Sequence, residues 1–177
     1  TANGLFQSPK VKLLVVTGGP AVARAALASK RRAIVAGPGN PPVVVDATAC
    51  LDLAAKSIVE GAAFDNNLLC IGEKQVFGVA PVFDKLMETM PKYQAFRLTA
   101  PQIESLTQAA FEKGSDGKPH VRKELVGKDP AILAAHAGVK IPATTQLLYG
   151  ETGADHPFVQ EEQMMPFVPF VKVPDVD

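Results

Sequence analysis

Along this chain, apolar and polar positions switch repeatedly between the two-residue period of strands and the 3.6-residue period of helices. Residues 11–16 form a short apolar run that predicts a buried strand leading into Thr17-Gly18-Gly19. Pro20 then opens a helix to about Lys30, a first-turn position where the missing amide has no intrahelical partner. Two β-branched runs, 33–36 and 43–45, predict strands on either side of a Gly/Pro loop. From Asp52 to about Ala63 the apolar Ala55, Ile58, Val59 and Ala62 recur at helical spacing. A strand over 74–79 follows, then a helix from about Pro81 to Met90 with Val82, Leu86, Met87 and Met90 inward. The two methionines there read as core filling. Residues 96–98 predict a strand, and Pro101 starts a helix whose Ile103, Leu106, Ala110 and Phe111 mark one face. Residues 113–120, with two glycines and a proline, predict a loop. A short helix over 129–137 is closed by Gly138. The last strands are 145–149 and 167–173, where Pro169 suits an edge or a bulge better than a central position. The alternation of elements predicts an α/β fold.

Composition narrows the classes of function. A chain of 177 residues can bury one sizeable core, or one domain plus a piece of another. Eighteen basic residues balance eighteen acidic ones, so no nucleic-acid partner is expected, and Lys30-Arg31-Arg32 reads as a solvated helix end. No apolar run approaches the roughly 20 residues needed to span a bilayer, so no membrane partner is expected either. Two cysteines and no secretory leader point to a soluble protein of a reducing, cytoplasmic compartment. Nothing favours a Cys50–Cys70 bridge. The histidines at 120, 136 and 156 lack paired spacing, and neither cysteine has a Cys-x-x-Cys neighbour, so no metal site is predicted. His120 reads as a surface residue and His136 as a structural one.

The chemistry that stands out is Cys70, at the end of Phe64-Asp65-Asn66-Asn67-Leu68-Leu69-Cys70, where a helix hands over to a strand. A polar turn or a helix terminus favours the thiolate, the nucleophilic form of cysteine. On its local residues alone, Cys70 reads either as such a nucleophile or as a small buried apolar residue. Upstream, Gly37 and Gly39 permit close approach to the main chain, while Pro38, Pro41 and Pro42 stiffen the path. That segment is either a structural turn or one wall of a pocket. Thr17-Gly18-Gly19 is likewise either a plain strand-to-helix turn or a dinucleotide contact. Glu161-Glu162 alone reads as a solvated pair.

Taken together, Thr17-Gly18-Gly19-Pro20, Ala36-Gly37-Pro38-Gly39-Asn40-Pro41-Pro42, Phe64–Cys70, Val126-Gly127-Lys128 and the block from His156 to Pro166 resemble the aldehyde dehydrogenase superfamily. The resemblance is to its CoA-acylating branch, which includes the propionaldehyde and acetaldehyde dehydrogenases of bacterial microcompartments. It implies a mostly parallel open sheet flanked by helices, of the aldehyde-dehydrogenase catalytic type. It also implies oxidation of a short-chain aldehyde to an acyl-CoA, with Cys70 as nucleophile, NAD as hydride acceptor and coenzyme A as co-substrate. By position, Thr17, Gly18, Gly19, Gly37, Pro38 and Glu162 match cofactor-contacting residues. Hydrolytic relatives carry a glutamate that activates water; that place falls on Ala36, which cannot act as a general base.

Family chains are considerably longer. The resemblance therefore implies that residues 1–37 are the tail of a dinucleotide-binding domain and 38–177 a catalytic domain, ending before the family's C-terminal segment. NAD affinity of this stretch alone is expected to be weak. The full-length protein is expected to be a homo-oligomer, associated with a microcompartment shell or lumen. Two other readings remain open: the aldehyde dehydrogenase part of a bifunctional aldehyde/alcohol dehydrogenase, and a non-catalytic assembly module that keeps the fold.

Overall fold

The computed structural model describes residues 2–37, 39–115 and 117–176. The chain divides into two compact units between Gly39 and Asn40. The first contains α1 (Ala2–Gln7), β1 (Leu14–Thr17), α2 (Pro20–Ala28) and β2 (Ala33–Ala36). β1 and β2 pair in parallel, from Leu14 opposite Ala33 to Thr17 opposite Ala36. Phe6, Leu14, Val16 and Ala26 form a small core. The expected strand over 11–16 starts only at Leu14, and it is buried on one face, because Val15 and Ile34 stay exposed. Pro20 begins α2 as its chemistry predicts. The helix stops at Ala28, where the Ser29 hydroxyl turns back to donate to the Ala26 carbonyl at 2.6 Å.

The second unit runs β3 (Pro42–Val45), α3 (Leu51–Ala63), β4 (Gln75–Val79), α4 (Ala80–Thr89), β5 (Ala95–Arg97), α5 (Ala100–Ala110), β6 (Phe111–Lys113), β7 (Pro119–Val121), α6 (Pro130–His136), β8 (Leu147–Glu151), α7 (Pro157–Gln160) and β9 (Phe167–Val173). Five strands form one sheet in the order β3-β4-β9-β8-β5, and every pairing in it is parallel. This is the α/β fold that the alternation of elements predicts, with the mostly parallel, helix-flanked sheet that the family resemblance implies.

Because strand side chains alternate between faces, the sheet feeds two cores. One gathers Ala55, Ile58, Val59 and Ala62 of α3 with Phe83, Leu86 and Met87 of α4 over Val76, Tyr149 and Phe170. The other packs α5 and α6 over Leu148 and Phe167, with Phe158 beside them. Met87 and Met90 are fully buried core residues, as expected. Gly138 closes α6 with φ 73, the left-handed conformation that favours glycine.

Three expectations fail. Phe111 does not end the face of α5; it begins β6, which pairs antiparallel with β7. Of the predicted loop over 113–120, Lys113 ends β6 and Pro119 and His120 belong to β7, with Gly114 and Gly117 between the two short strands. Pro169 lies on β9, the central strand of the sheet, rather than at an edge or bulge. The strand tolerates it because β4 registers with β9 only from Phe170 onward, so no ladder bond to β4 is asked of the proline. Upstream of it the side-chain amide of buried Gln163 takes over, donating to the Lys74 carbonyl at 3.3 Å and the Phe167 carbonyl at 3.1 Å.

Tyr149 sits fully buried on β8, its hydroxyl donating to the Met87 carbonyl at 2.8 Å. Burial pushes that hydroxyl up to about 12, with Arg97 pulling slightly the other way. An unfolded tyrosine ionises near 10. Between about pH 10 and 12 the unfolded chain sheds this proton while the folded chain keeps it, so stability falls as pH rises through the window. The loss is roughly 1–3 kcal/mol. Tyr149→Phe flattens that decline in urea titrations across the same range; parallel curves for the two proteins would show that the hydroxyl does not carry it.

Candidate active site

α3 ends at Ala63, and Phe64 to Asn67 form a single tight turn. Within it Asp65, Asn66 and Asn67 have φ of 49, 51 and 62, three consecutive left-handed residues. Only glycine, asparagine and aspartate adopt that conformation routinely, because a short polar side chain can bond locally. The Asp-Asn-Asn run therefore supplies residue types that this turn demands. The chain then loops through Leu68, Leu69 and Cys70 before entering β4. Cys70 is a free, exposed thiol, so the buried-apolar alternative does not hold.

Beneath the loop lies Lys74, with none of its surface exposed. Its ammonium donates to the Asn67 carbonyl at 2.6 Å, the Asn67 Oδ1 at 2.5 Å and the Leu69 carbonyl at 2.9 Å. Three oxygen acceptors match the three N–H groups of a protonated lysine, and none of them could donate to a neutral amine. Burial lowers the pKa of Lys74, while the charges of Glu162, Cys70 and Glu73 oppose that shift. The side-chain amide of Asn67, itself fully buried, also donates to the Glu73 carbonyl at 3.0 Å. One asparagine and one lysine thus tie both ends of the loop together.

Within the second unit, Asn40 and Pro41, the Val126-Gly127-Lys128 block and the block from His156 to Pro166 meet at the same loop. The Pro41 carbonyl accepts from the Lys74 amide at 3.1 Å, and the Asn40 carbonyl from the Gln75 side chain at 3.0 Å. Asn40 also donates to the Val159 carbonyl at 2.9 Å. Gly127, with φ 68, gives its amide to the Met164 carbonyl, and its own carbonyl accepts from Asn66 at 3.1 Å. A side chain at Gly127 would meet Leu68 Cδ1 at 3.0 Å, so the glycine allows the two segments to touch. Glu162 is half-buried and coupled through its charge to Lys74. Beside the loop opens a groove of about 470 Å³ between Glu60 and Gly61 of α3 and Phe64, Leu69, Ile71 and Glu73. Ile71 is 80% exposed, giving this groove an apolar rim next to the thiol.

Of the residues singled out in the sequence, Cys70 and Glu162 share this unit. Thr17, Gly18, Gly19 and Gly37 belong to the first unit, where all four are exposed. Gly18 has φ 151, and a side chain at Gly19 or Gly37 would meet nothing within 4 Å. Such open main chain fits the approach of a dinucleotide. Pro38 lies outside the described residues. Lys74 and Gln163 were not singled out as functional: a lone lysine opening a strand-like run looks the same in sequence whether it is solvated or buried. Among the described residues no group of three His, Cys, Asp or Glu could hold a metal ion, and no helix is long and apolar enough to cross a membrane.

Comparison with known proteins gives the relatives of a chain with this fold and this exposed cysteine. The chain is 49% identical to the acetaldehyde dehydrogenase (acetylating) of Escherichia coli (strain K12), over 99% of this chain and 38% of that protein. Among solved structures it aligns at TM-score 0.88 and 39% identity with a Rhodopseudomonas palustris propionaldehyde dehydrogenase holding CoA and an acylated cysteine, over 98% of this chain and 39% of that one. It also aligns at TM-score 0.87 and 36% identity with a propionaldehyde dehydrogenase from the Clostridium phytofermentans fucose utilisation bacterial microcompartment, over 97% and 38%. The chain thus spans about 38% of the length of the curated relative. The model of the aldehyde dehydrogenase family matches residues 1–114. With fold, loop and family model in agreement over most of its length, this chain belongs to the aldehyde dehydrogenase family.

Proposed function

We propose that the protein containing this chain oxidises a short-chain aldehyde to an acyl-CoA through a thioester on Cys70. The observation that carries this reading is the exposed thiol on a loop braced from below, in a chain similar to an enzyme solved with CoA and an acylated cysteine. In the forward direction the Cys70 thiolate adds to the aldehyde carbonyl. Negative charge develops on the carbonyl oxygen, and the Cys70 amide, which donates to no protein acceptor among the described residues, is free to receive it. NAD, when bound, supplies the hydride acceptor that turns the adduct into a thioester. Thr17, Gly18, Gly19, Gly37 and Pro38 are the residues assigned to hold it, with Glu162 toward the nicotinamide-side ribose. The CoA thiol then displaces Cys70. Ala36, standing where hydrolytic relatives keep a glutamate, leaves water without a base and lets the thioester await CoA.

The same reading assigns residues 1–37 to the tail of a dinucleotide domain and 38–177 to the catalytic domain. It makes the full-length protein a homo-oligomer housed in a microcompartment. Similarity to a microcompartment enzyme supports the last point.

The acylation half-reaction runs in reverse without NAD, so this chain can be tested directly. Incubated with acetyl-CoA or propionyl-CoA, it gains one acyl group, which peptide mass spectrometry maps to Cys70 and not to Cys50. An unmodified chain, or a label shared equally by the two exposed cysteines, would refute the proposal.

A further inference from the structure

Lys74 has no place in the chemistry described so far, yet it is the most deeply buried charge next to the thiol. Its grip on the Leu69 carbonyl at 2.9 Å has a geometric consequence. Leu69 C=O and Cys70 N–H belong to one planar trans peptide, in which the two groups point in opposite directions. Turning the carbonyl down toward the buried ammonium therefore turns the Cys70 amide up and away from it. A second bond, to the Asn67 carbonyl at 2.6 Å, holds the start of the same loop inward. The Gly72 amide also donates to the Leu69 carbonyl, at 3.1 Å, so this oxygen is held from two sides.

We propose that Lys74 is a positioning residue: by anchoring the Leu69 carbonyl it aims the Cys70 amide at the oxyanion formed when the thiol attacks. This rests on Cys70 being the nucleophile. The step it serves conserves electrons in pairs. The Cys70 sulfur forms a bond to the thioester carbonyl carbon of an acyl-CoA, and the carbonyl π pair moves to oxygen. The oxyanion then collapses, the bond from carbon to the CoA sulfur breaks, and the departing thiolate takes a proton from solvent. No oxidant or reductant is involved.

Two reagents separate this role from a merely structural one. Acylation by propionyl-CoA passes through an oxyanion, whereas alkylation by iodoacetamide is a direct displacement needing only the thiolate. In Lys74→Met, acylation of Cys70 slows roughly tenfold to a hundredfold, less than or comparable to the loss of a whole oxyanion donor. Alkylation of Cys70 changes no more than about threefold, because it forms no oxyanion and the thiol that feels the lost charge is exposed and screened by solvent. Cys50, measured in the same digest, serves as internal reference. Equal slowing of both reactions, or no slowing of acylation, overturns the assignment to Lys74 while leaving Cys70 as nucleophile. Absence of acylation in the unmodified protein would instead sink the nucleophile itself, and this role with it. Should Lys74→Met fail to fold by circular dichroism, Lys74→Gln, whose amide is one bond shorter and uncharged, is read by the same ratio of rates.

Discussion

Cys70→Ala takes up no acyl group from propionyl-CoA, and its urea unfolding curve overlays that of the unmodified chain within about 0.5 kcal/mol. The two results come from one fact, the exposure of the thiol at the tip of its loop. A solvent-facing side chain contributes little to stability, and substitutions of this kind stay within roughly ±0.5 kcal/mol. In the proposed mechanism the same position carries the whole covalent step, because alanine has no atom able to attack a carbonyl. Cys50→Ala is the matched control: Cys50 is also exposed, at the start of α3, and its loss leaves acyl uptake unchanged. Acyl uptake persisting in Cys70→Ala at the original rate would locate the nucleophile elsewhere.

Asn67→Ala produces the opposite profile. Alanine resists the left-handed backbone that Asn67 adopts at φ 62, at about 1 kcal/mol. It leaves the Lys74 ammonium short of one acceptor and the half-buried Glu73 carbonyl without its donor, each costing about 1–3 kcal/mol. The expected loss of stability is about 3–7 kcal/mol, read as a shift in urea midpoint, and acyl uptake falls with it as the loop loosens. Asn67→Gly relieves only the backbone and recovers about 1 kcal/mol of the loss. If Asn67→Ala were as stable as the parent, the bonds from Asn67 would not be what holds the loop.

These two residues show how far the linear pattern reaches. The Phe64–Cys70 block marks a helix end, a polar turn and a thiol, and the structure has all three in that order. The side-chain amides of Asn66 and Asn67 donate to the Gly127 and Glu73 carbonyls. Their left-handed backbone was not legible, since asparagine occurs in many turns. The helical spacing of Ala55, Ile58, Val59 and Ala62 found a buried face because α3 is long enough to show three turns of its period. Phe111, by contrast, was misread: one apolar residue at a helix end fits the next turn of a helix or the first residue of a strand equally well. Pro169 was misread for a different reason. Whether a proline can sit in a central strand depends on which neighbour its nitrogen faces and where that ladder begins, and both are properties of the partner strand.

The sequence by itself determined the local features of this protein: the alternation of helices and strands, the residue types that permit the turn before Cys70, and the blocks that mark the aldehyde dehydrogenase family. Each of these is written in the spacing and chemistry of neighbouring residues. Only the tertiary structure decided that Cys70 faces solvent, that β9 takes the centre of the sheet and that Lys74 is buried with its three donors satisfied. Burial and pairing depend on segments distant in the chain. A lysine at the head of a strand becomes an interior cation only once a turn folded over it offers oxygens in place of water.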